Sequence, residues 1–393
     1  MWPVLRDRQF KRLLVGQSLS SFGDSAMYLA LGIWTKDLTG SNAAAGAVFL
    51  AQGIPSLLAP FAGHVADRVP SRRILLLATN AAMGVAVLPL LVVRSADQLW
   101  VIYGFSAFYG LASEFGAAAQ AALVKDMLPA GDLVSSNAAF QTIAQGSRMV
   151  SPLVGAGLYA WAGGGGLAVF DAATFVAAII AIATIHVNES PAGREPFMPF
   201  RIELLAGFAH IRRTRTLHRI VTGSVTALLV LGFYESVTFA VLDALHRPAS
   251  FFGVLMSVQA AGSILGGLVV VRLIDCLSEI RVLAIALVAW AIASLAYTVA
   301  ALPVACAALF VFGSAVTLHA VARGTAVQRH TPPRLVGRTV ASASTLTKGA
   351  QTLSIGIGAV LIDRVDYRML LLVAAITLIV TALEVFRNDA HVA

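Results

Sequence analysis

The sequence predicts an all-α polytopic membrane protein in which twelve transmembrane helices form two pseudo-symmetric bundles of six. Three observations support this fold class: the composition, the spacing of apolar runs and an internal repeat. Of the 393 residues, 58% are hydrophobic and only 12% are charged, whereas a soluble domain has roughly 25% charged residues. Side chains that face lipid cost least free energy when they are apolar, so a bilayer explains the deficit of charge better than an ordinary core does.

Apolar runs long enough to cross a bilayer, which takes roughly 20 residues as a helix, recur along the chain between short polar segments. The chain accommodates twelve such runs with short loops and one longer connection. An even number of spans leaves both termini on the same side of the membrane. The predicted spans are 13–34, 44–65, 74–93, 99–122, 137–161, 166–186, 220–243, 250–272, 281–300, 303–324, 338–362 and 369–386.

The net charge of +8 is distributed in short clusters between apolar runs, such as Arg212, Arg213 and Arg215. This pattern is typical of loops retained in the cytoplasm rather than of a continuous basic face, so we expect no nucleic-acid partner. Most of the 28 Lys and Arg residues fall in the termini and in alternate loops on one side. The sequence therefore predicts a multi-pass protein of the cell (inner) membrane with both termini cytoplasmic and an uncleaved first span. We expect it to be monomeric.

An internal repeat relates the two halves of the chain. Asp67 and Arg73, in the loop after the second span, recur at the same interval as Asp275 and Arg281 after the eighth span. Two parallel six-helix repeats are the architecture of a rocker-switch transporter with a substrate cavity between its halves. The predicted domains are an N-terminal six-helix bundle (1–190), a cytoplasmic linker (191–219) and a C-terminal six-helix bundle (220–393).

The predicted linker contains apolar residues at helical spacing, namely Phe200, Leu204, Phe208 and Ile211. This spacing predicts an amphipathic helix at the membrane surface. The plain interpretation of the linker is a tether between the two halves, and the alternative is a regulatory or partner-binding segment.

The loop after the second span reads Gly-His-Val-Ala-Asp-Arg-Val-Pro-Ser-Arg-Arg over residues 63–73. A carboxylate in such a loop can cap a helix end, and the arginines can pair with carboxylates or with the negative ends of helix dipoles. The plain alternative is a positively charged cytoplasmic loop. The glycine, the Asp-Arg pair and the basic pair resemble the loop 2–3 signature of the major facilitator superfamily, in which such charge pairs latch the outward-facing state. The resemblance implies a conformational latch made of Gly63, Asp67, Arg68, Arg72 and Arg73.

Short segments spread along most of the chain carry a second resemblance. They lie at 10–13, 16–17, 21–25, 128–129, 136–138, 253–256, 262–267 and 331–338. Together they are similar to the drug:proton antiporter group of that superfamily, which contains macrolide-efflux proteins and the enterobactin exporter. Where that group commonly has Pro-x-Arg near the end of span 4, this chain has Ala118 and Gln120. Any role of that arginine in relatives is therefore not transferred.

Span 5 contains Gly146, Pro152, Gly155 and Gly157. Small residues allow close helix packing, and Pro152 frees a backbone carbonyl and can bend the helix. The run resembles the Gly-Pro-rich helix-packing motif that antiporters of the superfamily carry in this span, although Ser151 replaces the usual glycine before the proline. The alternative is a generic kinked and tightly packed helix.

Charged residues inside a hydrocarbon layer cost roughly 2.5–3.5 kcal/mol on insertion scales and are functional candidates by default. Asp24, Glu114 and Glu235 lie within spans 1, 4 and 7, which line the cavity in the superfamily fold. An apolar cavity favours the neutral form of a carboxyl group, as proton carriage requires. These three residues are the proton-coupling candidates.

Arg148 and Lys348 also lie near mid-depth and are candidate charge partners within the membrane. The alternative role of Asp24 is structural, as a partner of Arg148 or of nearby backbone groups. For Glu114 the alternative is simple attraction of a cationic substrate. Asp171 lies near the outer end of span 6, where we expect a structural role.

Three aromatic residues on the predicted cavity spans, Tyr28, Tyr109 and Tyr234, are substrate-cavity candidates. Aromatic side chains can bind an amphiphilic molecule through contact area rather than through hydrogen bonds. The alternative for each tyrosine is ordinary packing or lipid contact.

The resemblance implies a secondary active exporter, a proton antiporter of hydrophobic or amphiphilic small molecules such as drugs, antibiotics or siderophore-like metabolites. The alternatives are a proton-coupled nutrient importer, which would need a more polar cavity, and a lipid-handling or non-transporting protein of the same fold. The eight histidines are scattered, and the chain has no His-x-x-x-His, Gly-x-Ser-x-Gly or Walker sequence. The two cysteines have no metal or disulfide spacing. We therefore expect no enzyme activity, no metal and no cofactor; the expected partners are a small-molecule substrate, protons and the lipid bilayer.

Overall fold

The structure is a computed structural model, and the residues it describes are 6–66, 68–129, 132–187, 189, 200–332 and 335–387. Within these ranges the regular structure is helical and no strand forms, so the all-α fold class is confirmed. The α-helices of the described chain are α1 (Arg8–Thr39), α2 (Asn42–Ser56), α3 (Ala59–Ala66), α4 (Arg72–Ala86), α5 (Leu99–Met127), α6 (Leu133–Ala183), α7 (Phe200–Arg213), α8 (Arg215–Ala244), α9 (Phe252–Leu277), α10 (Glu279–Ala296), α11 (Leu302–Arg329), α12 (Val336–Leu361) and α13 (Tyr367–Arg387).

The predicted spans fall on these helices, although not one to one. Spans 5 and 6 both lie in α6, which bends at Gly163, where φ is 66°. Span 2 is divided between α2 and α3, and span 3 continues from α4 into the 3₁₀ helix Leu88–Val92. Seven helices of the described chain are long and apolar enough to cross a membrane. Among the others, α2 and α3 are short, while α1, α5 and α12 contain charged and polar residues. A total of twelve spans therefore stays a prediction.

Contacts divide the chain into two compact units. The first consists of Met1–Gly40 and Val48–Phe197, and the second of Ser41–Ala47 and Met198–Ala393. The later part of the predicted linker forms the helix α7, which packs on α12 and α8 of the second unit; its amphipathic character at the membrane surface stays a prediction. The part of the predicted linker at 191–199 lies outside the described residues.

The same pattern of helix packing occurs in both units. In the first, α1 packs on α6, α3 and α4 pack on α5, and α4 packs on α6. In the second, α8 packs on α12 and α13, α9 and α10 pack on α11, and α10 packs on α13. A close contact recurs with the same residue types: a Cβ on Gly110 would overlap the carbonyl oxygen of Gln52, and a Cβ on Gly313 would overlap that of Gln259. The internal repeat read from the loops therefore extends to the helix interfaces.

The surface of the described helices is rich in large apolar side chains. Leu268, Val271 and Val85 are each more than 60% exposed, which a soluble monomer rarely combines in continuous patches. Trp100 and Trp161 are also exposed and lie at the start of α5 and near the bend of α6. Tryptophan at such positions is typical of the membrane–water interface.

Candidate functional site

The candidate site is built where α1 and α6 approach each other closely. A Cβ on Gly16 would lie 2.7 Å from the Cβ of Ala181, and a Cβ on Gly155 would overlap the carbonyl oxygen of Ala26. A Cβ on Gly23 would lie 2.6 Å from Oδ1 of Asp171. Because glycine has no side chain, the two helices can pack backbone to backbone. This approach brings the Asp171 carboxyl group against the turn of α1 that carries Asp24.

Two carboxyl groups therefore meet inside the first unit. The Asp171 side chain is fully buried, while Asp24 keeps some accessible surface. Oδ1 of Asp24 and both carboxylate oxygens of Asp171 have no hydrogen-bond partner within the described part of the chain. The Thr174 hydroxyl, which lies beside them, donates to the main-chain carbonyl of Asp171 at 2.8 Å. The pair thus has unused acceptor capacity in a buried setting.

Tyr109 of α5 completes the cluster. Its hydroxyl donates a hydrogen bond toward the Asp24 carboxyl group, and it lies within electrostatic range of Asp171 and of Tyr28. The surrounding side chains are apolar, with Met83 and Phe175 packed against the Tyr109 ring. Two carboxyl groups in such surroundings repel each other when both are ionised, so the arrangement suits the binding of a proton.

The structure brings together three of the sequence candidates, Asp24, Tyr28 and Tyr109. The ion pair between Asp24 and Arg148, left open by the sequence, does not form, because Arg148 is exposed. Asp171 was expected near the interface in a structural role; the structure buries it fully beside Gly23, and its role stays a prediction.

The other intramembrane candidates lie on α5, α8 and α12. Glu114 and Lys348 are half-buried, in α5 and α12. Glu235 belongs to α8, but its side chain lies outside the described residues. The proposed proton-coupling role of Glu114 and Glu235, and the partner role of Lys348, stay predictions.

Tyr234 lies in the interior of the second unit. Its ring stacks on Tyr297 with centroids 6.1 Å apart and packs on Phe312 at 4.3 Å. Its hydroxyl and that of Ser294 are 2.5 Å apart. Trp290 packs against the same Phe312. Because both the ring and the hydroxyl of Tyr234 are already engaged, the structure places it in a packed aromatic core rather than on an open surface.

The loop 2–3 arginines bind helix ends within the first unit. Arg72 forms an ion pair with Asp126 at 3.2 Å, and both side chains are 10% exposed. The Arg73 guanidinium donates to the carbonyl oxygens of Ile182, at 3.2 Å, and Ala183, at 2.5 Å. These carbonyls end α6, where a positive charge is favourable.

For the other predicted latch residues, Gly63, Asp67 and Arg68, the structure describes few or no contacts. Asp67 lies outside the described residues, Arg68 follows α3 in an exposed turn, and a Cβ on Gly63 would meet no atom within 4 Å. The described contacts support a role of the arginines in joining helices of one unit. The latch between conformational states stays a prediction.

A carboxylate that the sequence did not single out organises the start of α4. Glu189 accepts hydrogen bonds from the Ser71 hydroxyl at 2.6 Å and from the backbone N–H groups of Arg72 and Arg73. It thereby satisfies N–H groups that the first turn of a helix leaves open.

The helix-packing motif of span 5 is only partly engaged within its own unit. Gly155 touches α1 and Pro152 is buried. A Cβ on Gly146 or on Gly157 would meet no atom within 4 Å. The motif's role beyond Gly155 and Pro152 stays a prediction.

A network of amides was also missed by the sequence reasoning. Gln17 donates to Gln120 at 3.0 Å, Asn80 donates to Gln17 at 3.4 Å, and Ser20 and Asn80 share a contact of 3.3 Å. One signal was available: Gln17, Ser20 and Asp24 are spaced three and four residues apart, which places them on one face of α1. Gln120 belongs to this network.

The comparisons with known proteins identify the family. A family model described as transmembrane secretion effector, within the major facilitator superfamily, matches residues 1–391. The chain belongs to this family. No curated protein matches it in sequence.

Solved structures of transporters share its fold. A variant of the nucleoside transporter NupG superposes with a TM-score of 0.82 at 14% identity, covering 97% of this chain and 99% of that one. A bacterial homologue of the iron transporter ferroportin gives 0.75 at 17% identity, covering 97% and 98%. A bacterial homologue of the lysosomal transporter Spinster gives 0.72 at 15% identity, covering 97% of each chain. The protein is therefore a multi-pass membrane transporter of the major facilitator fold, and transport rather than enzyme catalysis is supported.

Proposed function

We propose that the protein is a secondary active exporter that exchanges protons for hydrophobic or amphiphilic small molecules, such as drugs, antibiotics or siderophore-like metabolites, by alternating access. The observation that carries this proposal is Asp24, a carboxyl group within α1 that has an unpartnered buried oxygen and no ion pair among the described residues. The description of the family as a secretion effector supports outward transport.

We infer proton coupling from the surroundings of Asp24. A carboxyl group among apolar side chains favours its neutral form, and it ionises when water or a cationic substrate reaches it. Because Asp24 keeps some accessible surface, it can exchange its proton when water or a cationic substrate reaches it. A change of charge on one helix is the kind of differential interaction that shifts a two-state equilibrium. Glu114 and Glu235 are further candidates for the same role.

The substrate class is inferred from the side chains around Asp24. The Tyr28 ring packs on Phe49 with centroids 4.9 Å apart, and the Tyr109 ring lies 6.1 Å from that of Phe105. Such aromatic surroundings favour binding through contact area. This supports an amphiphilic molecule more than a sugar or amino acid.

A proton-coupled nutrient importer is the second candidate, because the amide network of Gln17, Asn80 and Gln120 could bind a polar substrate. These amides are already bonded to one another. A polar substrate would have to replace those hydrogen bonds, so we favour export.

The test uses purified full-length protein in liposomes with an imposed pH gradient. A panel of lipophilic dyes and antibiotics is added, and proton movement is followed with a pH indicator. We expect substrate-dependent proton flux that is lost in Asp24→Asn and reduced or lost in Glu114→Gln. The matched control is Asp37→Asn, which makes the same change near the outer end of the same helix and should keep the flux.

The outcomes separate the candidates. Flux with sugars, nucleosides or amino acids but not with lipophilic compounds would favour the importer. Lipophilic transport with unchanged proton flux in both Asp24→Asn and Glu114→Gln would remove these residues as coupling groups.

We also propose a monomer in the cell inner membrane with both termini cytoplasmic. Cys276 tests the orientation because it is exposed at the end of α9, in a predicted cytoplasmic loop. In a Cys306→Ser background, a membrane-impermeant maleimide should label Cys276 only after the cells are permeabilised. Labelling of Cys276 in intact cells would show the opposite orientation.

A further inference from the structure

We propose that Asp24 and Asp171 hold one proton between them as a pair, with Tyr109 positioning the Asp24 carboxyl group. Asp171 is then a second residue of the proton site, although it lies on the helix where the sequence indicated only a structural role. This inference rests on the proposed proton-coupled transport, and it names the carboxyl group with which Asp24 shares its charge.

The burial of Asp171 is the first step. Its side chain has no accessible surface, and neither carboxylate oxygen has a hydrogen-bond partner within the described part of the chain. No lysine or arginine of the described residues forms an ion pair with it. The Thr174 hydroxyl lies beside the carboxylate, but a buried carboxylate without a cation is strongly disfavoured. A proton on the group, shared with another acceptor, removes that penalty.

The direction of the Asp171 side chain is the second step. Its Oδ1 atom points at Gly23, where even a single added carbon would lie only 2.6 Å away. Asp24 is the next residue along α1 and is close enough for the two charges to act on each other. Two interacting carboxyl groups lose their protons as a pair rather than independently.

The third step concerns the other titratable groups around the pair. Tyr28 on α1 and Tyr109 on α5 face it. On α5, Tyr103 and Glu114 lie more than 100° around the helix from Tyr109, at roughly 100° per residue.

The remaining helices that pack on α1 and α6 bring no charge to the pair. The arginines at the start of α4 bind Asp126 and the end of α6. The 3₁₀ helix Leu88–Val92 has no titratable residue, and Asp97 in the 3₁₀ helix Ala96–Gln98 is exposed. The described neighbours of the pair are thus two phenols and no base.

The unequal exposure of the two carboxyl groups determines which of them exchanges the proton with its surroundings. Asp24 keeps accessible surface and exchanges the proton, whereas Asp171 is fully buried. When the proton leaves, the negative charge is shared between the fully buried Asp171 and the partly exposed Asp24. This makes release dependent on a cation or water at Asp24. Removing the Asp171 carboxyl group should therefore change the pH at which Asp24 releases its proton.

The test measures proton binding directly, without a transport substrate. Infrared spectra of purified full-length protein are recorded across a pH titration, and the carbonyl stretch of protonated carboxyl groups is followed. In the wild-type protein we expect a band that is lost only when Asp24→Asn and Asp171→Asn are combined, because either carboxyl group alone can still bind the proton. In Asp171→Asn the band should titrate at a pH lower by about one unit, a tenfold change in proton affinity, because an amide can donate to the Asp24 carboxylate whereas a second carboxylate repels it. Asp37→Asn is the matched control and should leave the midpoint unchanged.

A second variant keeps the proposal testable if Asp171→Asn does not fold. Tyr109→Phe removes the donor to Asp24 and should move the midpoint to higher pH, opposite to Asp171→Asn. A midpoint that is unchanged in Asp171→Asn, or unchanged in Tyr109→Phe when the first variant does not fold, would overturn the shared site.

The infrared result is also independent of the proposed function. If the titration behaves as expected but liposomes show no proton flux with any compound, the shared site stands and the antiport proposal fails. If flux is lost in Asp24→Asn while Asp171→Asn titrates like the wild-type protein, antiport stands and the shared site fails.

Discussion

The two units have the same helix packing but different chemistry at equivalent positions. At the cytoplasmic loop predicted after span 2, Arg72 at the start of α4 pairs with Asp126 at the end of α5. At the corresponding helix ends of the second unit, Glu279 at the start of α10 pairs with Arg329 at the end of α11, at 2.9 Å. In both units the ion pair joins equivalent helices, but the acidic and basic residues have changed places. The repeat therefore preserves where an ion pair is needed rather than which residue supplies each charge.

The interiors differ more deeply. The first unit holds the fully buried Asp171 and the partly buried Asp24 near the packed backbones of α1 and α6. Among the described side chains of the second unit, the buried acid is Glu279, and it is paired. Its interior instead contains Tyr234, Trp290 and the buried His319, whose ring packs on Trp290. This contrast is the basis of our proposal that the first unit carries the proton chemistry, and it places packed aromatic side chains in the described interior of the second.

Among the substitutions that compare the two units, removal of an arginine from one of these ion pairs should have the largest effect on stability. Arg72→Ala leaves Asp126 nearly buried without its partner, and removing one partner of a buried pair costs about 3–5 kcal/mol. Arg329 is 55% exposed, so water screens this pair and can reach Glu279 once the arginine is gone; Arg329→Ala should therefore cost less, about 1 kcal/mol. Unfolding midpoints in detergent measure both. Equal losses would show that the two pairs contribute alike despite their different exposure.

The recurring glycine contacts should respond alike in the two units. Gly110→Ala and Gly313→Ala each place a carbon against a backbone carbonyl, which cannot rotate away, and overpacking of this kind costs about 1–3 kcal/mol. The matched controls are Gly104→Ala on α5 and Gly324→Ala on α11, where an added Cβ meets no atom within 4 Å. Thermal midpoints and the yield of monodisperse protein are the measurements. Tolerance at one position but not at the other would mean that the repeat does not extend to this interface.

Removal of a tyrosine hydroxyl should have different effects in the two interiors, on stability in the second unit and on the pH profile in the first. Tyr234→Phe loses a hydrogen bond with Ser294, which still donates to the Trp290 carbonyl at 2.9 Å. We expect a loss of about 0.5–1.5 kcal/mol in stability and an unchanged pH profile of transport. Tyr109→Phe should change the pH profile instead. A shifted profile in Tyr234→Phe would extend the proton chemistry to the second unit.

Local sequence patterns were sufficient for much of the fold. Low charge content and long apolar runs report directly on the surroundings of a helix, and the repeat of Asp67 and Arg73 at Asp275 and Arg281 indicated two related halves. The exact number of spans was less accessible, because polar residues in α1, α5 and α12 lower the hydropathy on which such counting depends.

The candidate site was only partly predictable. Asp24 was selected because a charge at mid-span is costly wherever it faces. The role of Asp171 depends on the distance between α1 and α6, which Gly23 and Gly155 set through tertiary contacts. Hydropathy and spacing along one helix contain no information on that distance. The same limit hid the partners of Gln17 and the contact of Glu189 with the start of α4.

Proton flux in liposomes tests the central claim, that the first unit carries the proton chemistry of transport, most directly. The same lipophilic dye is added to liposomes containing the wild-type protein, Asp24→Asn or Tyr234→Phe, at equal protein content and pH gradient. We predict dye-dependent proton flux with the wild-type protein and with Tyr234→Phe, and none with Asp24→Asn. Flux retained in Asp24→Asn together with flux lost in Tyr234→Phe would contradict the account.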